Sequence, residues 1–474
     1  MNDKFFITNA IPYVNAKPHV GHALEFVQSD VIRRFHKLLN DETLLLCGGD
    51  ENAIKNVQAA EKVNIPLQEF IDTNTKLFED LAKKLDVEFN VFQKGSSKDH
   101  HTASQKLWEL CEKNGDIYKK SYAGLYCVGC EQFYEKEELN ENGECFEHPG
   151  RKLDEVQEEN YFFKLTNYQD KILELLENET IKIIPESRKN EMVSFVKQGL
   201  QDVSISRSNE RAKNWGVPVP GDNTQRMYVW FDALNIYQSG VGFGTNEEEY
   251  NKWWPADVHV IGKGIIRFHA VYWPAFLLSA GLKLPKSLFV HGYFTVDGQK
   301  MSKTLGNVVD PLEIIEKYGV DALRYYLLSQ IPSTGDGDFS ETRLKEVYNS
   351  DLANGLGNLV SRVAKLAEKN NQKGGGLPTS LDSKFTETLE KYTFNIALEH
   401  IWEEIRTADK LVNEKKPWEL SGDELSKVLE ALIEKIIHIA YNLQPFLPTT
   451  SEKILSQFVA KTITSQDGLF PRLS

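Results

Sequence analysis

Residues 4–22 read KFFITNAIPYVNAKPHVGH, and this stretch decides the fold. KFFITNA (4–10) is an apolar run of strand length, IPYVNAKP (11–18) is a proline-bearing loop, and a helix is predicted to begin near His19. Beyond it Val20, Leu24, Val27, Val31, Phe35 and Leu38 recur at spacings of three and four, which draws one apolar stripe along that helix. The run TLLLC (43–47) supplies the next strand. Strand, loop, helix and strand open a βαβ unit, which predicts a parallel sheet with its ligand site at the strand ends. Pro18-His19-Val20-Gly21-His22 lies where the first strand hands over to the helix, and there free backbone N–H groups and the helix dipole favour a phosphate.

Working outward, apolar runs at MYVWFDA (227–233), DVHVIG (257–262) and SLFVHGYFTV (287–296) are predicted as further strands. Asp297-Gly298 is a turn pair, and Asp310-Pro311 starts a helix with the acid as cap. From about 117 the pattern breaks into Tyr, Cys, Gly and Glu-rich sequence, which reads as an insertion splitting the sheet domain. Beyond roughly 350 long amphipathic stretches take over, interrupted by the loop KGGGLPTS (373–380), so the last third is predicted to be a helical bundle.

At 474 residues two or three packed units are expected. No apolar run approaches bilayer length, and MNDKFFITNA lacks the regions of a signal peptide, so a cytoplasmic protein without a membrane partner is expected. The net charge of −14 argues against indiscriminate phosphate binding and requires any RNA surface to be a local patch. Five cysteines cannot all pair, so metal binding outranks a disulfide framework.

His19 and His22 project from one face of the first helical turn, where they can hydrogen-bond phosphate oxygens as charge builds, and Gly21 lets a nucleoside lie against the backbone. Alone, such a pair is as readily two surface histidines at a helix start. The loop Lys300-Met301-Ser302-Lys303-Thr304 changes that reading, because two lysines there suit stabilisation of a pyrophosphate leaving group. H-x-G-H near the start with K-M-S-K-[ST] some hundreds of residues later resembles the signature pair of class I aminoacyl-tRNA synthetases. That resemblance implies His19, Gly21, His22, Lys300, Ser302 and Lys303 at the ATP, with Mg2+ on its phosphates, and an aminoacyl-adenylate intermediate.

Further strings resemble the methionyl-tRNA synthetases: Ala10-Ile11-Pro12-Tyr13-Val14-Asn15, Gly49-Asp50-Glu51, Tyr228 to Leu234, and Ile265 to His269. The resemblance implies L-methionine and tRNA(Met) as substrates. It implies a methionine pocket of Ile11, Tyr13, Trp230, Ala233, Leu234, Tyr237, Ile265 and His269, with Asp50 pairing the substrate ammonium. Aromatic rings are favoured neighbours of a thioether. The chain departs from the family twice: Glu51-Asn52-Ala53 replaces the usual Glu-His-Gly, and Gly262-Lys263-Gly264-Ile265 lacks the usual aspartate at 264, expected near the ATP ribose.

Cys127-x-x-Cys130 followed by Cys145-x-x-His148 has the paired spacing of a tetrahedral zinc site, with all four positions filled by protein and therefore structural. Cys47 and Cys111 are read as packed thiols. Taken alone, Asn354, Asn358, Arg362 and Trp418 read as a solvated polar face beside a half-buried tryptophan; the resemblance implies that they read the anticodon.

The expected architecture is an α/β, Rossmann-like nucleotide-binding domain in two halves (1–116 and 226–305) around a zinc-knuckle connective insertion (117–225). A stem-contact linker (306–350) and an α-helical anticodon-binding domain (351–474) follow, and a monomer is expected. Synthetases for leucine, isoleucine and valine carry a larger editing insertion than this chain has room for. A regulatory paralogue without activity rests only on Asn52 and Gly264.

Overall fold

The parallel sheet grows from the βαβ unit that opens the chain. This is a computed structural model that describes residues 3–127, 132–134, 136–146, 150–301 and 306–473. Strand β1 (Lys4–Asn9) leads into helix α1 (Val20–Leu38), which returns to β2 (Glu42–Gly49), and β3 (Val91–Lys94) extends the same edge before α2 (Lys98–Lys113). Strands β4 (Lys182–Ile184), β5 (Val258–Gly262) and β6 (Ser287–His291) complete a six-stranded, all-parallel sheet in the order β3-β2-β1-β5-β6-β4. The order reverses between β1 and β5, paired at Ile7↔Val258, Thr8↔His259 and Asn9↔Val260, so the ligand crevice belongs at their C-terminal ends.

Both faces of the sheet are covered, which explains why its strands read as continuous apolar runs: Ile7, Leu45, Leu46, Val258, Val260, Leu288 and Phe289 are wholly buried. The stripe of α1 is likewise the buried face, with Val20, Leu24, Val27, Val31 and Phe35 in the core and Leu38 half-buried at its end.

Two strand expectations are corrected. The strand that precedes MYVWFDA covers Asp222–Met227, and Val229–Ala233 is a short helix, α3. All five of its residues are buried, so no periodicity distinguished a strand from a helix enclosed by core. SLFVHGYFTV is broken into β6 and a second strand, Phe294–Val296, which joins a separate small sheet. The break is at Gly292, where a Cβ would lie 2.2 Å from the Gly335 carbonyl oxygen.

Between α2 and α3 the chain forms a four-stranded antiparallel sheet, dominated by the long pair Ile117–Cys127 with Asp154–Phe163. The same segment also returns β4 to the main sheet, where Leu288 pairs with Ile183. The C-terminal third is helical: α4 (Asn358–Lys369), α5 (Phe394–Lys415), α6 (Gly422–Leu443) and α7 (Pro448–Phe458).

Arg324, on the helix Val320–Ser329, ties this third to the parallel-sheet domain. It is wholly buried and donates to Asp30 Oδ2 on α1 (2.8 Å), to the carbonyls of Pro445 (2.9 Å) and Phe446 (2.7 Å) between α6 and α7, and to the Leu85 carbonyl (3.0 Å). Asp30 also binds Arg34 at 2.7 Å and Arg33 at 3.5 Å. Burial works against its charge, but the three guanidiniums outweigh it and hold the carboxyl below its usual range.

Candidate active site

His19 caps α1 with extended backbone. Its Nδ1 accepts from Gly21 N (3.1 Å), while His22 Nδ1 accepts from His19 N (3.1 Å), a reciprocal cap built from two histidines. The rings lie 3.9 Å apart between centroids, and His22 packs edge-on against Phe78. Burial, and the neighbouring His19, push the His22 pKa well below the usual value. His22 is therefore neutral at pH 7, and with Nδ1 accepting from the backbone, its Nε2 carries the proton and can donate.

Met301 reaches the start of α1. A Cβ built on Gly21 would lie 2.9 Å from His19 Cε1 and 3.5 Å from Met301 Cε, so the first residue after Lys300 lies over the helix start. Lys300 contributes backbone to a short strand paired at Thr295. The Lys300 side chain, Ser302, Lys303 and Thr304 lie outside the described residues.

The residues expected to line a methionine pocket come together beside this crevice. Ile11, Tyr13, Trp230, Ala233, Leu234, Tyr237 and Ile265 share one apolar cluster. Tyr13 and Asp50 form an isolated parallel bridge, which brings the buried Asp50 to the loop that follows β1. Trp230 stacks face to face on Phe268 at 3.8 Å, a partner that the sequence did not single out. Tyr237 and His269 are linked at 2.9 Å, and His269 Nδ1 lies 3.0 Å from the Ile265 carbonyl. A carbonyl only accepts, so Nδ1 carries the ring proton, and Tyr237 donates to Nε2. Burial pushes the His269 pKa down to about 4, which keeps that acceptor uncharged.

A family model described as tRNA synthetases class I (M) matches residues 5–364. A methionine–tRNA ligase of Clostridium acetobutylicum is 42% identical across 96% of this chain and 73% of its own length, and one from Brucella suis is 40% identical across 96% and 91%. The chain belongs to the methionyl-tRNA synthetases. A Mycobacterium tuberculosis methionyl-tRNA synthetase bound by methionyl-adenylate superposes with a TM-score of 0.92 at 34% identity, covering 99% of this chain and 100% of that one.

Against the methionyl-tRNA synthetase pattern, the departure at Asn52 has a structural answer. Asn52 Nδ2 donates to Asp232 Oδ2 (2.6 Å) and to the Gly95 carbonyl (2.8 Å), tying the Asp50 loop to α3, which carries Trp230 and Ala233. The other Asp232 oxygen meets His100 Nε2 (2.6 Å) and Ser104 Oγ (2.9 Å) on α2. Burial disfavours the Asp232 carboxylate, but His100 and these hydrogen bonds prevail and lower its pKa. Sequence reasoning missed this network because its members are far apart in the chain; adjacent His100-His101 at a helix start was its only local sign.

Cys127 and Cys145 are buried with their sulfurs 3.2 Å apart, too far for a disulfide of about 2.05 Å. Cys130 and His148 lie outside the described residues, and among the described residues no group of three or more metal-binding side chains occurs. Cys47 and Cys111 are buried thiols whose pKa values burial raises. In the helical third, Asn354 and Asn358 are exposed, Arg362 donates to Asp409 (3.0 Å) and Asn413 (3.0 Å), and its guanidinium lies 5.7 Å from the ring of Trp418. Among the described residues no helix is long and apolar enough to cross a membrane.

Proposed function

We propose that this methionine–tRNA ligase holds L-methionine with its thioether against Trp230, Tyr237 and His269 and its ammonium on Asp50, and draws ATP onto the start of α1. A methionine carboxylate oxygen attacks the α-phosphorus, the Pα–O bond to the β-phosphate breaks, and pyrophosphate leaves. His19, His22, Lys300 and Lys303 stabilise the charge that develops on the phosphates, so positioning and charge complementarity carry the step. Mg2+ bound to ATP adds charge neutralisation at the phosphates. The 2′-hydroxyl of the 3′-terminal adenosine of tRNA(Met) then attacks the acyl carbon, and AMP leaves. The observation that supports this reading is Met301, the residue after Lys300, lying over Gly21 beside the capping histidines.

The division of labour follows the expected segments: 1–116 and 226–305 bind and activate, 117–225 forms the connective insertion, 306–350 links, and 351–474 reads the anticodon through Asn354, Asn358, Arg362 and Trp418. Two buried thiols at 3.2 Å suit adjacent ligands of one structural Zn2+, whose tetrahedral Zn–S bonds of about 2.3 Å place sulfurs roughly 3.8 Å apart. Cys130 and His148 would complete the set. A cytoplasmic monomer fits these roles.

Charging tests the reading. The purified chain should acylate tRNA(Met) with labelled methionine, and Asp50→Asn should reduce methionine affinity; acylation unaffected by Asp50→Asn would remove the ammonium site from Asp50.

A further inference from the structure

The loop that carries Asp50 is fastened to the start of α2 by its next two residues. Glu51 accepts from Ser96 N (3.0 Å) and Ser96 Oγ (2.5 Å) through one oxygen, and from Thr75 Oγ1 (2.7 Å) through the other. Asn52 donates to the Gly95 carbonyl at 2.8 Å. The backbones run close here: a Cβ on Gly95 would lie 3.0 Å from the Gly49 carbonyl oxygen.

The wall opposite is fastened to the same helix. Asp232 lies on α3 between Trp230 and Ala233, deep in the core, and its Oδ1 is held by His100 Nε2 and Ser104 Oγ of α2. The second ring nitrogen of His100, Nδ1, meets Ser239 Oγ at 2.8 Å, at the end of the helix Ile236–Ser239 that carries Tyr237. Helix α2 is therefore the common frame for Asp50 on one side and for Trp230, Ala233 and Tyr237 on the other.

Asn52 closes the remaining gap. One N–H of its amide goes to the Gly95 carbonyl and the other to Asp232 Oδ2, at 2.6 Å. A carbonyl and a carboxylate only accept, so the amide nitrogen faces both of them. A single side chain thus pins α3 to the loop whose ammonium anchor, Asp50, stands two residues earlier. The ammonium and the sulfur of methionine are a fixed number of bonds apart, so the distance from Asp50 to α3 has to match that length.

We propose that Asn52 is a specificity-determining positioning residue, whose bridge to Asp232 sets the spacing between the ammonium and thioether sites and with it the side-chain length this chain accepts. The inference rests on the methionine reading above, with the ammonium at Asp50 and the thioether at α3. A fitted apolar site discriminates one methylene by about 10- to 200-fold. With the bridge cut, the two sites are no longer held at one distance, and that discrimination falls.

The test is ATP–pyrophosphate exchange with methionine, with S-methylcysteine, one methylene shorter between α-carbon and sulfur, and with homomethionine, one methylene longer. It is run on the unaltered chain, Asn52→Ala and Asn52→His. Asn52→Ala should lower kcat/KM for methionine about tenfold, mainly through KM, and change the values for both analogues less than about threefold. Asn52→His restores a donor, and the residue usual here in the methionyl-tRNA synthetases, so it should keep the selectivity within about threefold of the unaltered chain. A ratio of kcat/KM between two amino acids does not depend on the fraction of enzyme that is folded, so a loss of stability alone leaves it unchanged. An equal fall for all three amino acids in Asn52→Ala, a loss of all exchange in that variant, or an unchanged selectivity would overturn the proposal. Absence of exchange with methionine in the unaltered chain would overturn the methionine reading itself and the spacing role with it.

Discussion

Replacing Arg324 by methionine should loosen the helical third from the nucleotide-binding sheet. The side chain makes four hydrogen bonds: to Asp30 and to the carbonyls of Leu85, Pro445 and Phe446. Removing one partner of a buried ion pair costs about 3–5 kcal/mol. Here Asp30 keeps Arg34 at 2.7 Å and Arg33 at 3.5 Å, which limits the loss on that side. The three carbonyls lose their charged donor in a dry interior, and each is worth about 1–3 kcal/mol if left unpaired. Methionine restores part of the packing, so we take about 4 kcal/mol. At 1.4 kcal/mol per decade, the undocked population rises roughly a thousandfold. Native-state proteolysis across the α6–α7 connection, under conditions where cleavage is slow relative to reclosing, reads this population directly. Cleavage accelerated less than tenfold would refute the role of Arg324 as a latch.

Three further sites carry expectations. Trp418 is 53% exposed, so Trp418→Ala should leave stability and pyrophosphate exchange intact while lowering kcat/KM for tRNA charging by about 10- to 100-fold, the worth of one base stacked on an aromatic ring; equal loss in both assays would contradict an anticodon role. Burial holds His269 at about 4, so the KM for methionine should be flat from pH 8 to about pH 5.5, whereas a change centred on 6.5 would indicate a solvated ring. The same depression has a defined sign for stability: the unfolded ring takes its proton near 6.5 and the folded one does not, so this contribution is full above 6.5 and is lost as pH falls below it. Metal analysis should find about one zinc per chain, and Cys145→Ser should lower that content; a metal-free chain with unchanged unfolding would rule out a structural ion.

Much of this architecture was legible because its signals are local. The βαβ start, the stripe of α1 and the Asp310 cap, whose side chain accepts from Leu312 N at 2.8 Å, are all settled by residues a few positions apart. Both motifs proposed to hold ATP are likewise continuous strings of residues. What escaped were relations between distant segments. Trp230 stands out in the sequence but its stacking partner Phe268 does not, and Asn52 is visible as a departure while its bond to Asp232, 180 residues away, is not. Arg324 sits in VDALRYYLL as an ordinary helical arginine, and only the docking of α6 and α7 reveals it as wholly buried. The helix at Val229–Ala233 was hidden for the opposite reason: burial on every side erases the periodicity that identifies an element.

The central claim is tested most directly by amino-acid-dependent ATP–pyrophosphate exchange on the purified chain, across methionine, leucine, isoleucine, valine and cysteine, with Lys303→Ala as control. The account predicts exchange with methionine alone, abolished or nearly so in the control. Exchange with none of them would contradict it and mark the chain as a binding paralogue that does not activate an amino acid.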